Sequence, residues 1–224
     1  APQKHACGGR PAGPAGRPAG VGRGRQRGRG AGGQRLGARG GDLELGPGRG
    51  QIQQVKIGGN RDGKVTAYSL SVIQDSGAYP MLGAILPFMT RMMTSGVYAI
   101  TNLGFESASV VTNTTPMRPF RGAGRPEAAA AIERAMDLFA AEIEMDPAEV
   151  RRRNLLADDV YPYRTPGGAV YDIGAYTTAL DMALAASDYA GLRAEQVRRR
   201  EAGEARQLGI GLSGEGDLLR LRQG

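Results

Sequence analysis

Thr114-Thr115-Pro116-Met117-Arg118-Pro119-Phe120-Arg121-Gly122-Ala123-Gly124-Arg125-Pro126-Glu127 joins a strand-like run at 105–112 to a strongly helical one at 128–143. Gly122 and Gly124 let the backbone come close to a neighbour or a ligand. Pro126 and Glu127 suit the first turn of a helix, where a missing N–H costs nothing and a carboxylate complements the dipole. Unpaired N–H groups at such a start point outward and attract anions or oxygen-rich ligands. Arg118, Arg121 and Arg125 flank the turn. The pattern is that of a ligand-binding loop carried on a rigid scaffold.

Working outward, the helix from Pro126 carries a core-facing stripe at Ala128, Ile132, Ala135, Phe139 and Ile143. Upstream, Gln53-Gln54-Val55-Lys56-Ile57 reads as a strand, Asn60-Arg61-Asp62-Gly63 as a turn, and 65–73 as a second strand with Tyr68, Leu70 and Val72 on one face. The two form a hairpin. The apolar run 81–93 reads as a broken helix whose four methionines serve core packing rather than metal binding. A third strand covers 104–112. Downstream, Asp146-Pro147-Ala148-Glu149 has the form of a capping box, with Asp146 as N-cap. Arg151, Arg152 and Arg153 in the helix that follows read as a solvated face. Residues 158–174 are a loop, helices cover 175–186 and 189–201, Gly203 is a stop, and a strand begins over 207–212. The fold class is α+β, a hairpin-containing mixed sheet with several packed helices.

The net charge of +7 is unevenly spread. Residues 1–50 hold ten Lys/Arg and two Asp/Glu, leaving 19 and 20 for the remainder, which is therefore close to neutral and predicts no nucleic-acid partner. The single cysteine, Cys7, and single histidine, His5, exclude a disulfide framework, a Cys/His zinc site and an iron–sulfur cluster within the chain. No apolar run reaches membrane-spanning length and no signal-peptide core opens the chain, which suits a reduced, cytoplasmic setting. Residues 1–48 are dominated by Gly, Arg, Ala and Pro without apolar periodicity. Three readings of them stay open: translation of a GC-rich coding region in the wrong frame, disorder, and an RGG-like nucleic-acid-binding tail that would make the chain a non-enzymatic basic binding module.

Gly209-Ile210-Gly211-Leu212-Ser213-Gly214 matches GxGxxG, but ten residues remain after it, too few for the helix and acidic residue of a dinucleotide site. No phosphate loop of the GxxxxGK[ST] form occurs. Asp137, Glu142, Glu144 and Asp146 sit on or beside helices as surface acids, with no paired catalytic arrangement.

Five stretches together resemble the molybdopterin-binding large subunit of the molybdenum hydroxylase family, which includes xanthine dehydrogenase, aldehyde oxidase and aerobic carbon monoxide dehydrogenase. They are Gly58-Gly59-Asn60-Arg61-Asp62-Gly63-Lys64-Val65, Asp75-Ser76-Gly77-Ala78-Tyr79-Pro80, the loop at 120–128, Asp146-Pro147-Ala148-Glu149-Val150-Arg151-Arg152-Arg153-Asn154-Leu155, and Thr165-Pro166-Gly167-Gly168-Ala169-Val170-Tyr171-Asp172. They run in the family's order. The resemblance implies that 49–213 is part of a larger molybdopterin-binding domain, with 1–48 and 214–224 outside it, bounded by frame errors. It implies that Phe120, Arg121, Gly122, Ala123, Gly124 and Arg125 bind the cofactor, with Arg121 also orienting substrate.

By the same resemblance the cofactor is molybdenum-molybdopterin in its cytosine dinucleotide form. The reaction is hydroxylation of an aldehyde or aromatic N-heterocycle. Electrons leave to a [2Fe-2S] small subunit and an FAD-binding medium subunit, in a dimer of heterotrimers. Carbon monoxide dehydrogenases carry a copper-ligating cysteine in this loop, where Gly122, Ala123 and Gly124 stand here, so carbon monoxide oxidation is not implied. The family's Gly-Gly-Gly-Phe-Gly motif is absent upstream, and its catalytic glutamate lies beyond residue 224. No catalytic residue or metal ligand is therefore expected in this chain, which alone is expected to be inactive.

Overall fold

A computed structural model of the chain describes residues 49–214 and the backbone of 25–27. Two strands with alternating burial form its centre. β2 (Gln51–Gly59) turns Gln51, Gln53 and Ile57 inward, and β3 (Val65–Asp75) does the same with Tyr68, Leu70, Val72 and Gln74. A period of two is what a half-buried strand imposes. They pair antiparallel from Gln51↔Gln74 to Gly58↔Ala67. At the turn, the Gly63 N–H donates to the Asn60 carbonyl at 3.1 Å and Gly63 takes φ 89°, so the expected hairpin is present.

β4 (Asn102–Val110) runs parallel to β3, and β1 (Arg25–Arg27) lies antiparallel along the other edge of β2. The sheet order β1-β2-β3-β4 is mixed, as an α+β chain of this kind requires. Residues 25–27, inside the compositionally biased segment 1–48, thus pair with the edge of the sheet. The rest of that segment, and the tail after 214, lie outside the described residues.

A parallel pair needs a crossover. Here it is a 3-10 turn (Leu82–Ile85) followed by α1 (Leu86–Met92), the broken helix expected over 81–93. The assignment of its methionines to the core holds for Met93, which is buried, and fails for Met81, which is 56% exposed beside exposed Leu82, Ile85 and Phe88. The reason is length. A two-turn helix buries one face, here Leu86, Pro87 and Thr90, and an apolar run that wraps all round it leaves the other face uncovered.

α2 (Arg125–Glu142) lays Ala128, Ala131, Ile132, Ala135, Met136, Phe139 and Ala140 on the inner face of the sheet. All but Ala128 meet Ile57, Tyr68, Leu70, Val72, Val97 and Ile100 in one core cluster, with Ile143 packed at its margin. Each large side chain fully buried there contributes about 1.5–3 kcal/mol.

α3 (Pro147–Asn154) starts at Asp146, whose carboxylate accepts from the Ala148 and Glu149 amides at 2.8 and 3.3 Å. The cap is as expected, but Glu149 does not reach back to close the box. It pairs with Arg153 at 2.6 Å. The solvated-face reading of the three arginines is corrected at Arg151, which is buried against Glu133 and Asp137. Arg152 and Arg153 face solvent. A helix of eight residues must bury a face, and Arg151 falls on it between Ala148 and Asn154.

The 158–174 loop contains a two-residue pairing of β5 (Tyr163–Arg164) with β6 (Val170–Tyr171). α4 (Tyr176–Ala186) and α5 (Tyr189–Glu201) follow as expected, and Gly203 ends α5 with φ 63°. No strand forms over 207–212, which corrects the sequence reading. The Leu208 carbonyl is taken by Gln196 and the Leu212 carbonyl by Arg151, so this segment pairs with side chains instead of a sheet. Within the GxGxxG match, the Gly214 amide is taken by the Glu133 carboxylate at 2.8 Å. Among the described residues no helix is long and apolar enough to cross a membrane.

Candidate functional site

Because β3 and β4 are parallel, the chain leaves both at the same end of the sheet, and the two departing segments are tied together. The Ser76 amide donates to the Val110 carbonyl, Ala78 to Thr114, and Thr112 to Gly77. The Asp75 carboxylate accepts from the Gly77 amide at 2.8 Å, the Thr112 hydroxyl at 2.7 Å and the Thr114 hydroxyl at 3.1 Å. Desolvation alone would push the Asp75 carboxyl up, but the bonds from Thr112, Gly77 and Thr114 together hold it below the ordinary carboxylate range. Gly77, at φ 70°, is required here, since a Cβ on it would lie 2.4 Å from the Thr115 carbonyl oxygen. This knot fixes where the loop begins, and buried Met117 anchors it to the body.

The loop then turns through three consecutive left-handed residues, Gly122, Ala123 and Gly124, with φ of 101°, 34° and 89°. Gly124 is the N-cap of α2 and lies against α1. A Cβ there would meet the Thr90 amide nitrogen at 2.5 Å and the Met89 Cβ at 2.6 Å. The turn is closed by Ala123 N–H to the Phe120 carbonyl (2.8 Å) and Arg125 N–H to the Gly122 carbonyl (3.1 Å). The expectation of outward N–H groups is thereby narrowed. Those of Ala123 and Arg125 are used inside the turn, while those of Arg121, Gly122 and Gly124 donate to nothing among the described residues.

Phe120 is 64% exposed and Arg121 is exposed beside it. Arg125 is half-buried, with an Nε that has no partner among the described residues. All six expected residues therefore lie on one turn. Arg49 joins them without having been expected. Its guanidinium lies 5.1 Å from the Phe120 ring centre, and its Nη2 donates to the Arg121 carbonyl at 2.5 Å. Seventy-two residues separate Arg49 from Arg121, and no local signal marks the pairing. A separate groove of about 590 Å³ lies between α1 and β4, lined by Ile85, Phe88, Leu103 and Phe105, and touches none of the loop residues.

A turn that is exposed at Arg121, half-buried at Gly122 and buried at Gly124, with the Arg121 and Gly122 amides undirected and an exposed Arg121 guanidinium, is chemically suited to a phosphate-bearing or oxo-bearing cofactor. Residues 43–155 match the family model described as molybdopterin cofactor-binding domain. The chain belongs to this family. The match includes β2 to β4, the whole loop and α2.

Among curated relatives of this molybdopterin cofactor-binding domain, the nicotine 6-hydroxylase large subunit of Paenarthrobacter nicotinovorans is 32% identical over 73% of the chain and 20% of its own length. The carbon monoxide dehydrogenase large chain of Hydrogenophaga pseudoflava is 36% identical over 67% of the chain and 19% of its own length. Of solved structures, quinoline 2-oxidoreductase from Pseudomonas putida 86 superposes with a TM-score of 0.65 at 25% identity, covering 71% of the chain and 21% of that structure. The chain spans about a fifth of the length of the curated relatives it matches. These findings support an oxidoreductase lineage and give none to the basic nucleic-acid-binding alternative.

Proposed function

We propose that residues 49–213 are part of the large subunit of a molybdenum hydroxylase and that Phe120, Arg121, Gly122, Ala123, Gly124 and Arg125 form one wall of its cofactor site. Residues 43–48, which the family match includes, and Gly214, whose amide donates to Glu133, extend this unit at its two ends. The observation that carries the reading is the family match over 43–155, which contains the left-handed turn at 122–124 whose Arg121 and Gly122 amides donate to nothing among the described residues.

The bound cofactor, in its cytosine dinucleotide form, supplies a two-electron centre for the net reaction R–H + H2O → R–OH + 2e⁻ + 2H⁺. The chain's own contribution is binding and orientation. The amides of Arg121 and Gly122 and the Arg121 guanidinium hold anionic oxygen atoms. The Phe120 ring, stacked under Arg49, forms a plate at the mouth of the turn that limits water access. The substrate is an aldehyde or aromatic N-heterocycle, in keeping with relatives named for nicotine and quinoline. Gly122-Ala123-Gly124 offers no thiolate for copper, which disfavours carbon monoxide as substrate. Electrons pass to a [2Fe-2S] small subunit and an FAD-binding medium subunit, assembled as a dimer of heterotrimers in the cytoplasm.

The test is expression of the full chain together with bacterial cofactor-maturation machinery, followed by assay of molybdenum and cytosine nucleotide in the purified protein. Equal amounts of both, lost in Gly124→Ala, are expected, without turnover of aldehydes or N-heterocycles. Absence of both from a folded wild-type chain contradicts the reading.

A further inference from the structure

The inner face of the sheet changes character toward the loop. At the far end it is apolar, with Ile57, Tyr68 and Leu70 against Met136 and Phe139. At the loop end the same strands turn Gln51, Gln53 and Gln74 inward, and Thr90 of α1 and Glu127 of α2 close over them, all buried. Buried amides and hydroxyls are costly unless paired, and an apolar residue at these strand positions would be cheaper. These groups are joined in one chain. Gln53 Nε2 donates to the Glu127 carbonyl at 3.0 Å and to Gln51 Oε1 at 3.0 Å, and Gln51 Nε2 donates to Thr90 Oγ1 at 3.1 Å.

The two ends of this chain bracket the loop. Glu127 is in the first turn of α2, three residues after Gly124. Thr90 is the residue whose amide nitrogen Gly124 abuts. The start of α2 and the surface on which the turn rests are thus both referred to β2. We propose that Gln53, Gln51 and Thr90 are positioning residues that set the geometry of the 120–125 turn from beneath. Three further atoms nearby, Gln74 Oε1, Ser76 Oγ and Glu127 Oε2, are buried without a partner among the described residues. That is a departure from full pairing of the kind expected where geometry takes precedence over stability. The consequence for the cofactor rests on the proposed function. A displacement of about 1 Å at such a turn costs on the order of 100-fold in rate.

The test reads the turn without cofactor, so its failure is distinct from failure of the cofactor assignment. Trypsin does not cut before proline. Of the three loop arginines, Arg118 precedes Pro119 and Arg125 precedes Pro126, which leaves the Arg121–Gly122 bond as the loop's cleavage site. Arg61–Asp62, in the exposed hairpin turn, is an internal control. In the full chain, Gln53→Met and Thr90→Val are each expected to speed cleavage at Arg121–Gly122 roughly tenfold while leaving Arg61–Asp62 unchanged. Thr90→Ser should behave as wild type, and the double variant should be no faster than either single one. If Gln53→Met does not fold, the comparison of Thr90→Val with Thr90→Ser decides. An unchanged rate at Arg121–Gly122, or a rise matched at Arg61–Asp62, overturns the proposal.

Discussion

Arg151 Nη2 lies 2.8 Å from Glu133 Oε2, with the two side chains only 3% and 9% exposed. Asp137 at 2.9 Å, the Tyr98 hydroxyl and the Gly214 amide complete the shell, and Arg151 also holds the Leu212 carbonyl. The pair therefore connects α2, α3 and the segment after α5. Removing one partner of such a pair leaves the other charge buried. Arg151→Met is expected to cost about 3–5 kcal/mol in urea denaturation, and Arg151→Met/Glu133→Leu to recover much of it.

The same site predicts a pH dependence. Burial pushes the Glu133 carboxyl up, and the Arg151 charge pulls it back. A carboxyl raised in the folded state favours folding at low pH and loses that contribution as pH rises. Without Arg151 the rise should be greater. The deficit of Arg151→Met is thus expected to be largest near neutral pH and to shrink as pH falls into the carboxylate range. Denaturation midpoints at pH 7 and pH 5 check this.

Gly124 and Gly203 separate conformational strain from close approach. Both have positive φ, but a Cβ on Gly124 meets α1 whereas one on Gly203 meets nothing within 4 Å. Gly203→Ala should cost only the left-handed penalty of about 1–2 kcal/mol. Gly124→Ala should cost clearly more, because backbone atoms must also move. Thermal denaturation of the two variants reads the difference.

Asp75 predicts the opposite pH behaviour from Glu133. Its carboxyl is lowered in the folded state, so its contribution is present above the unfolded value near 3.9 and is lost as pH falls through the depressed one. Asp75→Asn should lower stability at neutral pH and flatten the acid limb of the stability curve. An acid limb identical to wild type would show that the Thr112 and Thr114 knot does not depend on the charge.

The parts legible in the sequence were those with a local signature. The hairpin announced itself through Tyr68, Leu70 and Val72 after the four-residue turn from Asn60 to Gly63, α2 through its stripe from Ala128 to Phe139, and α3 through Asp146 and Pro147. The turn at 120–125 was legible because Gly122 and Gly124 have few other uses beside a helix start. What escaped was long-range pairing. Arg151 looks like its neighbours Arg152 and Arg153 until α2 brings Glu133 to it. Arg49 gives no hint of Phe120, and nothing local marks Gln51, Gln53 and Gln74 as buried beneath α1 and α2. Residues 207–212 have strand-like composition, yet their carbonyls are taken by Gln196 and Arg151.

The central claim is that the 120–125 turn faces the molybdopterin cofactor. Amide hydrogen exchange, compared for the full chain purified with and without molybdopterin cytosine dinucleotide, tests it most directly. Protection is expected over 120–128, where the Arg121, Gly122 and Gly124 amides donate to nothing among the described residues, with no change at the 60–63 turn or in α5. Stoichiometric cofactor that leaves exchange at 120–128 unchanged would contradict the account.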